Sequence, residues 1–479
     1  MAGFKEYERY DGLGLAELVR NKEVTPGELL DEALARVEAL NGKLNAVVQM
    51  KADVARKAIK AGLPEGPFAG VPFLLKDLGC EAVDFPTNSG SRVYKDYRWT
   101  FDSEIFLRLK RTGLVTFGRT TSPEFGIGPT TEAAVYGAPT RNPWSLDHTS
   151  GGSSGGSGSA VAAGIVPVAH GSDGGGSVRI PASSCGLVGL KPTRARLPDG
   201  PASGEGWGGM AIDGFLTRSV RDTAALLDAT HGPDLGAPYW APAVAWPFLE
   251  EIKTPPERLK IAYSTKSTTG EPLHKECVKA VEKTAKLLAG LGHELIEAEP
   301  AIDIRALMLH WANVVASGTA LTVEMRAAGL KRPIRDDELE GVTWGAVEHA
   351  KSVPGTAYLA AINHVHAVGR QMARFLVDYD IWLTPTLAEP PARIGRFKPD
   401  NRDFLDYRLG PNGILPYSPF TALFNATGQP AISLPLHWTA KGLPVGVHFA
   451  GRFVEDALVL KLAAEIERAA PWLDKRPAL

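Results

Sequence analysis

The spacing of apolar and polar residues along the chain predicts short strands that alternate with amphipathic helices. The first strong signal is a capping box formed by Thr25 and Glu28, after which apolar residues recur at helical spacing over 26–40. Comparable spacing predicts helices over 52–61, 103–112, 156–163, 219–231, 273–290, 419–426 and 455–468, and helical segments over most of 303–378 with breaks near 332–333 and 353–355. Short apolar runs predict strands over 46–50, 71–75, 114–117, 165–169, 188–191, 259–263, 294–298, 380–384, 431–436 and 445–450. Strands that alternate with helices over the whole chain predict an α/β layered fold.

Three segments interrupt or qualify this alternation. The run over 71–75 is apolar throughout, as expected of a strand buried on both faces, and the charged pair Lys76 and Asp77 follows it directly. The polar loop predicted over 121–150 is long for a compact chain, and such loops are more often functional than idle. The proline-rich passage over 237–256 is either a domain boundary or a connection within one continuous sheet.

Composition argues against several functional classes. The chain has 479 residues, 44% of them hydrophobic, and a formal net charge of −2, so it offers no basic surface for nucleic acid or an anionic membrane. The N-terminal residues contain no apolar run of signal-peptide length, and nowhere do about 18 apolar residues stand together, so we expect a soluble, cytoplasmic protein. The three cysteines are far apart and no Cys/His cluster has metal-ligand spacing, so we expect no disulfides, no metal and no other cofactor.

Serine and glycine dominate the stretch over 150–181 in two clusters. The first fills 150–159 without interruption and the second covers 171–177, while an apolar run over 160–169 separates them. Serine and glycine runs are typical of flexible linkers. The apolar run argues against a linker here, because it can bury surface and hold the two clusters at a fixed separation.

Two known motifs do not account for these clusters. The GGSSG string over 151–155 satisfies the G-x-S-x-G pattern of α/β-hydrolases, but that elbow needs a preceding strand, and 141–150 has the composition of a loop. A phosphate-binding P-loop ends in glycine, lysine and then serine or threonine, and neither cluster has the lysine.

The second cluster follows a predicted strand and begins a predicted helix. Consecutive glycine N–H groups over 174–176 can point into one concavity that suits an oxyanion, with Ser177 beside it as a nucleophile. A serine hydroxyl needs a base, and His170 is near in sequence, although it is more readily explained as a structural histidine. The alternative is a tight strand–helix turn that requires small residues for packing.

The strings around these residues resemble the amidase signature family over nearly the whole chain. They are GVPFLLKD at 70–77, GGSSGG at 151–156, GSDGGGSVRIPA at 171–182, GLVGLKPT at 186–193, TRSVRDT at 217–223, DIWLTPT at 380–386, TGQPAISLP at 427–435 and GLPVG at 442–446. Gly174 departs from the family pattern, in which a larger residue, often threonine, stands at this position. That departure, with the segments 121–136 and 170–181, resembles the branch that hydrolyses the cyclic dimer of 6-aminohexanoate. We expect the glycine to make that wall of the pocket smaller or more flexible.

The resemblance implies the amidase-signature fold, a central mixed twisted β-sheet covered by helices on both faces. It also implies a single catalytic domain over 1–479. Within it we expect an N-terminal helical part over about 1–62, a signature core over about 63–235, and a remainder that completes the sheet and the substrate pocket.

The resemblance further implies a Ser–cis-Ser–Lys triad. Ser177 would attack the amide carbonyl, Ser153 would follow a cis peptide bond and bridge the other two residues, and Lys76 would be the base that returns the proton to the leaving amine. Lys76 must then be neutral, which requires its pKa to fall from about 10.4 towards about 7, and the apolar run over 71–75 is a suitable neighbour for that. The oxyanion hole would consist of the N–H groups of Gly174, Gly175, Gly176 and Ser177.

Other residues are expected around this triad. Ser154 is expected to be a hydrogen-bonding neighbour, and Asp173 and Arg179 are expected to pair and hold the loop. The residues expected to line the substrate pocket are Ile127, Gly128, Trp207, Met210, Ile212, Trp311 and Trp344, although core packing explains each aromatic residue as well.

These expectations predict a cofactor-independent amidase that cleaves a small to medium linear or cyclic amide through an acyl-enzyme. The substrates left open are 6-aminohexanoate oligomers or their cyclic dimer, aryl amides and carbamates, because amide, ester and carbamate cleavage share the first step. The alternatives are the glutaminase subunit of a tRNA amidotransferase, which uses the same triad, and a non-catalytic scaffold with a serine–glycine linker. The expected partner is a small-molecule amide, with no nucleic acid or membrane, and a homodimer is the expected oligomer.

Overall fold

The computed structural model describes residue 4 and residues 6–479, so positions 1–3 and 5 of the expected N-terminal part lie outside the described residues. The strands are β1 (Val47–Val48), β2 (Pro72–Lys76), β3 (Val115–Thr120), β4 (Arg141–Asn142), β5 (Ser145–Thr149), β6 (Val168–Asp173), β7 (Val188–Lys191), β8 (Ile212–Thr217), β9 (Lys260–Tyr263), β10 (Glu294–Glu297), β11 (Ile381–Pro385), β12 (Ala431–Trp438) and β13 (Pro444–Gly451).

The α-helices are α1 (Gly12–Arg20), α2 (Pro26–Leu44), α3 (Ala52–Ala61), α4 (Glu104–Arg111), α5 (Gly155–Ala162), α6 (Arg179–Cys185), α7 (Val220–Thr230), α8 (Phe248–Glu251), α9 (Lys275–Gly290), α10 (Ile304–Leu330), α11 (Gly341–Ala350), α12 (Gly355–Phe375), α13 (Phe404–Leu409), α14 (Ile414–Tyr417), α15 (Thr421–Thr427) and α16 (Asp456–Ala469). Single-turn 3₁₀ helices occur at Tyr7–Arg9, Arg92–Tyr94, Glu124–Gly126, Ala134–Tyr136 and Asp336–Glu338.

One mixed sheet of eleven strands runs through the molecule in the order β1-β3-β2-β6-β8-β7-β12-β13-β11-β9-β10, and β4 and β5 form a separate hairpin. β2 is parallel to β3 and β6, and β9 is parallel to β10 and β11. The other neighbours are antiparallel. Because β9 and β10 follow the proline-rich passage and still join this sheet, that passage is a connection within one continuous sheet.

Alternate side chains of the central strands enter cores on opposite faces of the sheet. Phe73 and Leu75 of β2 belong to a core that contains side chains of α7, α9 and α16, whereas Leu74 belongs to a core with α2, α3 and α5. A third core, under α10 and α12, contains Ala431 and Ala450 of the C-terminal strands. Successive residues of a strand point to opposite faces, so helices cover both sides of the sheet. The structure therefore confirms the predicted α/β architecture.

Most predicted helices are present, with ends that differ by a few residues. Thr25 Oγ1 accepts from Glu28 N–H and the Glu28 carboxylate accepts from Thr25 N–H, so the predicted capping box begins α2. The helical region over 303–378 divides into α10, α11 and α12 near the predicted breaks. By length and composition α10 is apolar enough to cross a membrane, but 56% of its most apolar window is buried inside the fold, which is typical of a core helix.

Three sequence-based expectations about strands are wrong. The strand predicted over 165–169 is β6, which starts later and continues into the second serine–glycine cluster, because pairing with β8 extends it. β8 is missing from the prediction, since Asp213 and Gly214 interrupt its apolar pattern. The segment 141–150 contains the β4–β5 hairpin, so a strand does precede the first serine cluster, although it lies outside the main sheet.

The first serine–glycine cluster is packed inside the protein. Every residue over 150–159 is buried, and the second half of this run lies in α5. Its glycines allow close approach of other segments: a Cβ placed on Gly156 would lie 2.4 Å from the backbone nitrogen of Thr121, and one on Gly155 would lie 2.3 Å from Thr131 Oγ1. The linker interpretation is therefore wrong.

Substitution of Gly156 by alanine should destabilise the fold, because the added Cβ has no space against the Thr121 backbone. We expect Gly156→Ala to lower the free energy of unfolding by about 1–3 kcal/mol in urea titrations. The matched control is Gly42→Ala in α2, where the described residues leave no heavy atom within 4 Å of an added Cβ. That control should be neutral or stabilising by up to about 1 kcal/mol, because alanine favours helices. Equal effects of the two substitutions would contradict this packing.

Candidate active site

Lys76, the charged residue after the apolar run, is the last residue of β2. All five residues of β2 are buried between β3 and β6, so the lysine side chain leaves the strand inside the protein. Lys76 Nζ donates to Ser153 Oγ (2.7 Å) and to Ser172 Oγ (2.9 Å). The lysine thus connects the two serine clusters.

The protonation of Lys76 is altered by its surroundings. The residue has no solvent exposure, and burial lowers the pKa of Lys76 to about 7, because the ammonium form loses its hydration. The carboxylates of Asp213 and Asp173 oppose this shift by attracting the ammonium form. A lysine with this pKa can both accept and return a proton near neutral pH. The lowered pKa expected from the apolar run is confirmed.

His170 of β6 lies behind the lysine. The backbone N–H of Lys76 donates to His170 Nδ1 (3.3 Å), and His170 Nε2 lies 3.0 Å from Asp213 Oδ1. Because Nδ1 accepts a hydrogen bond, Nε2 carries the proton and donates to the carboxylate. Both ring nitrogens are hydrogen-bonded to residues of the neighbouring strands β2 and β8, as expected of a structural histidine.

The first serine cluster forms the turn between β5 and α5. The peptide bond between Gly152 and Ser153 is cis, and Ser153 is buried. Ser154 Oγ donates to Ser172 O (3.3 Å) and lies 3.2 Å from the Ser172 nitrogen, which donates to it, while Ser154 N–H donates to Ser177 O (3.2 Å). Ser154 therefore ties the two loops together, and its hydroxyl is occupied by the backbone of the second loop.

A buried ion pair holds the second cluster. Arg179 Nε donates to Asp173 Oδ2 (3.0 Å) and Nη2 donates to Oδ1 (2.9 Å), with both side chains fully buried. Asn425 Nδ2 also donates to Asp173 Oδ1 (2.9 Å). Burial by itself would raise the pKa of Asp173, but Arg179 and Asn425 outweigh it and hold the pKa of this carboxyl well below its usual value.

The Asp173 carboxylate also accepts a hydrogen bond from one of the N–H groups expected in the oxyanion hole. Gly176 N–H donates to Asp173 Oδ1 (2.7 Å), and Val178 N–H donates to Oδ2 (3.1 Å). An N–H directed at a carboxylate is not free to meet an oxyanion. The expected set of four donors is therefore reduced to the N–H groups of Gly174, Gly175 and Ser177.

Side chains from distant segments explain why the loop needs glycine. A Cβ placed on Gly174 would lie 2.6 Å from the Trp207 ring. Gly176 has a φ of +127°, and a Cβ there would lie 2.4 Å from Thr421 Oγ1. Because the Trp207 indole fills the space of a side chain at position 174, the expectation of a smaller or more flexible wall is wrong.

Two cavities meet at Ser177, which is half-buried. The larger cavity has a volume of 480 Å³, and its lining includes Ser153, Ser172, Gly174 and Trp207. The smaller cavity has a volume of 40 Å³, and its lining includes Gly128, Gly175, Trp207 and Trp311. The structure thus brings both expected catalytic serines to one cavity, with Lys76 bonded to Ser153 behind its wall.

Known proteins are similar in sequence to this chain over nearly its whole length. The family model described as Amidase matches residues 28–460. The 6-aminohexanoate-cyclic-dimer hydrolase of Paenarthrobacter ureafaciens is 38% identical over 478 residues, which cover 98% of this chain and 96% of that protein. The chain belongs to the amidase signature family.

Solved structures of amidases agree with this membership. The structure of 6-aminohexanoate cyclic dimer hydrolase complexed with substrate has a TM-score of 0.92 and 36% identity, and covers 98% of this chain and 99% of that one. A bacterial aryl acylamidase of the amidase signature family has a TM-score of 0.86 and 28% identity, with 97% and 96% coverage. The predicted family fold is confirmed, and this amidase is a hydrolase of carbon–nitrogen bonds other than peptide bonds.

Several residues expected to line the substrate pocket of this amidase lie elsewhere. Ile127 and Met210 are core residues, and their carbonyl oxygens accept from Arg408 and Asn425 respectively. Ile212 begins β8, and Trp344 Nε1 donates to Asp336 O (3.0 Å). The expected residues that line one of the two cavities at Ser177 are Gly128, Trp207 and Trp311.

The residues that complete the amidase site from other segments have no motif to mark them. Ser172 lies inside the second serine cluster, but its bond to Lys76 follows from its place in β6. Asp213 comes from the unpredicted strand β8. Thr421 Oγ1 donates to Gly175 O (2.7 Å), and Arg408 lines the smaller cavity. Only the pairing of strands and the packing of helices bring these residues to the site.

Replacement of Lys76 by methionine removes a group whose pKa of about 7 in the folded state lies below its unfolded value of about 10.4. Below pH 7 the lysine is charged in both states, so the folded wild type carries the full cost of burying the ammonium. As pH rises through this window the unfolded state still binds the proton that the folded state has lost, so the wild type gains stability. We expect the stability advantage of Lys76→Met over wild type to fall by about 4 kcal/mol between about pH 6 and about pH 10 in urea titrations.

Lys191 provides a matched comparison in this experiment. It is also buried with a pKa of about 7, mainly because of desolvation, and its Nζ donates to Pro192 O (2.7 Å), away from the serine loops. Lys191→Met should therefore show the same direction of pH dependence. A difference between Lys76→Met and wild type that stays constant with pH would show that Lys76 is not held near neutrality.

Proposed function

We propose that this amidase hydrolyses a small to medium linear or cyclic amide through an acyl-enzyme, with Ser177 as nucleophile, Ser153 as proton bridge and Lys76 as base. The observation that carries the proposal is the 2.7 Å bond from the buried Lys76 Nζ to Ser153 Oγ, beside a cavity that Ser153 shares with Ser177. A serine needs such a base because its hydroxyl is a weak nucleophile.

The proton route follows from this arrangement. As Ser177 Oγ attacks the carbonyl carbon, its proton passes to Ser153 Oγ, and the Ser153 proton passes to Lys76 Nζ. The ammonium that forms lies in the field of Asp213 and Asp173, which favour the charged lysine. The same route in reverse delivers a proton to the leaving amine, and water then releases the acyl group.

The negative charge of the tetrahedral intermediate needs donors that are in place before the reaction. We propose the N–H groups of Gly174, Gly175 and Ser177 for this purpose, with Gly176 N–H and the Asp173–Arg179 pair holding the loop in shape. The supporting bonds from Trp311 Nε1 to Gly174 O (3.2 Å) and from Thr421 to Gly175 O turn the peptide carbonyls towards protein donors. Each fixed donor of this kind is worth about 3–4 kcal/mol of transition-state stabilisation.

The substrate class is proposed from the similar proteins. Their names state hydrolysis of the 6-aminohexanoate cyclic dimer and aryl acylamidase activity. We therefore propose nylon-type oligomers and cyclic dimers, aryl amides and carbamates as the compounds to test, with glutamine as the alternative of a glutaminase subunit. We further propose a single catalytic domain, without cofactor, that works as a homodimer in the cytoplasm.

Alanine substitutions test the triad directly. Ser177→Ala and Lys76→Ala should each lower kcat by at least about 1,000-fold, because the nucleophile or its base is lost, and Ser153→Ala should be severe for the same reason. Turnover is measured over the compound panel, with unfolding curves to show that each variant is folded. A fluorophosphonate probe should label Ser177 in the wild type.

Two outcomes would contradict this assignment. Labelling of Ser154 in place of Ser177 would restore the G-x-S-x-G elbow, for which the preceding strand β5 is present. Near-normal activity of Lys76→Ala across about pH 6–9 would remove the lysine from the proton route.

The pH dependence of kcat/KM provides a separate test. Lys76 accepts a proton only when neutral, so activity should be lost as pH falls through the pKa of Lys76 at about 7. Asp213→Asn removes a carboxylate that raises this pKa, so the midpoint of the acidic limb should move to lower pH. A midpoint that moves to higher pH in this variant would contradict Lys76 as the titrating base.

A further inference from the structure

Arg408 in α13 is a buried cation that has no carboxylate partner among the described residues. The residue is 5% exposed, its guanidinium stacks on the rings of Trp311, Phe404 and Tyr407 at 5.0, 5.1 and 5.7 Å, and it donates to Ile127 O. Its Nε is buried without a hydrogen-bond partner in the described part of the chain. Burial lowers the pKa of Arg408 to about 10, and the neighbouring group that opposes this is the phenol of Tyr407, not a carboxylate.

Three other buried arginines of this chain are compensated by a carboxylate or by several carbonyl oxygens. Arg179 pairs with Asp173, and Arg196 pairs with Asp456 at 3.1 Å. Arg119 donates to four backbone carbonyl oxygens. A buried charge without such partners is costly unless something else supplies the counter-charge. Arg218 also has an unpartnered Nε, but its Nη2 donates to two carbonyl oxygens, of Leu473 and Lys475. Arg408 has one carbonyl acceptor among the described residues, and it lies at a cavity that can admit a further acceptor.

Arg408 lies beside the reaction site. Arg408 lines the smaller cavity together with Ser177, and the Ser418 hydroxyl is a second polar group in the same lining. Apolar side chains make up much of the remainder, including Ile180, Met308 and Leu415. A cation in a small apolar pocket beside a nucleophile can select substrates that place an anion there. A substrate without an anion would leave the buried cation unpaired, which costs binding energy.

The two cavities also divide the substrate into two parts. The larger cavity contacts Ser153 and Ser172, the two acceptors of Lys76, so the proton for the leaving amine is delivered there. The smaller cavity then holds the acyl part. Glu81 and Glu205 line the larger cavity, so a carboxylate is disfavoured on the leaving-group side and an amine is favoured.

We propose that Arg408 binds a carboxylate at the end of the acyl part, so that the preferred substrates are monoamides of short dicarboxylic acids. This inference rests on the proposed amidase function, and it names the acyl group that the function takes. Water adds across the amide C–N bond, and the products are the free amine and the dicarboxylic acid. A neutral oxygen could also accept from Arg408, but it would leave the buried charge uncompensated.

The test compares anilides that share one leaving group. Malonyl, succinyl and glutaryl monoanilides carry the carboxylate at three distances, and each is paired with the carboxamide of the same shape. For at least one chain length, the wild-type kcat/KM should be at least about tenfold higher for the carboxylate than for its carboxamide. Equal or lower values for the carboxylate at all three lengths would overturn the proposal.

Variants of Arg408 show whether the guanidinium causes this preference. Arg408→Gln should reduce the ratio between the paired anilides to about one, and Arg408→Lys should keep part of it, because a charge is retained without the planar fork. The matched control is Arg396→Gln: Arg396 also stacks on two rings, of Phe397 and Tyr417, but it pairs with Glu389. Its ratio should equal that of the wild type, and an unchanged ratio in Arg408→Gln would overturn the proposal.

A binding measurement keeps this test independent of turnover and of the variant's stability. Calorimetry of the wild type should detect glutarate or succinate binding at least about tenfold tighter than the diamide of the same acid, which lacks the carboxylate. Failure to bind any of these diacids would overturn the role of Arg408 even if neutral anilides are hydrolysed. Diacid binding without hydrolysis of any anilide, and without labelling of Ser177, would instead contradict the proposed function and leave the carboxylate site in place.

Discussion

The site depends on a lysine amino group that is held away from water at the end of an internal strand. Lys76 leaves β2 between two parallel neighbours, so no path to solvent is open to its side chain. The cost of that burial is limited by two hydroxyl acceptors and two nearby carboxylates, and the balance holds the pKa near neutrality. Much of the surrounding chemistry, from the serine loops to His170, is arranged around this one group.

A second constraint joins distant parts of the chain at the loop between β6 and α6, which contains Ser177. Asp173 ends β6, Arg179 begins α6, and Asn425 comes from α15 near the C-terminus. Arg179 also donates to Thr421 O (2.9 Å) and to His448 of β13. The loop is therefore held by the C-terminal strands and helices, and a fragment that ended at the signature core would leave Arg179 Nη1 without its acceptors.

The parts of the molecule that depend on local sequence patterns could be predicted from the sequence. The buried strand before Lys76, the capped helix α2 and the two serine loops follow from patterns within about ten residues. The strand β8 could not be predicted, because Asp213 and Gly214 interrupt the alternation of apolar residues. This segment is a strand because it pairs with β6 and β7. Arg408, Thr421 and Asn425 could not be assigned, since their contacts to the site depend on tertiary packing. The loss of Gly176 N–H from the expected oxyanion hole could not be predicted either, because it depends on where the Asp173 carboxylate lies.

The contact between Gly174 and Trp207 restricts the order in which this site can evolve. Any side chain at position 174 meets the indole at 2.6 Å, so such a change is unfavourable while the tryptophan is present. Loss of the tryptophan, by contrast, clears that space without a clash. A lineage that acquires a larger residue at position 174 must therefore pass first through a smaller residue at position 207. The order of these two steps follows from this one contact.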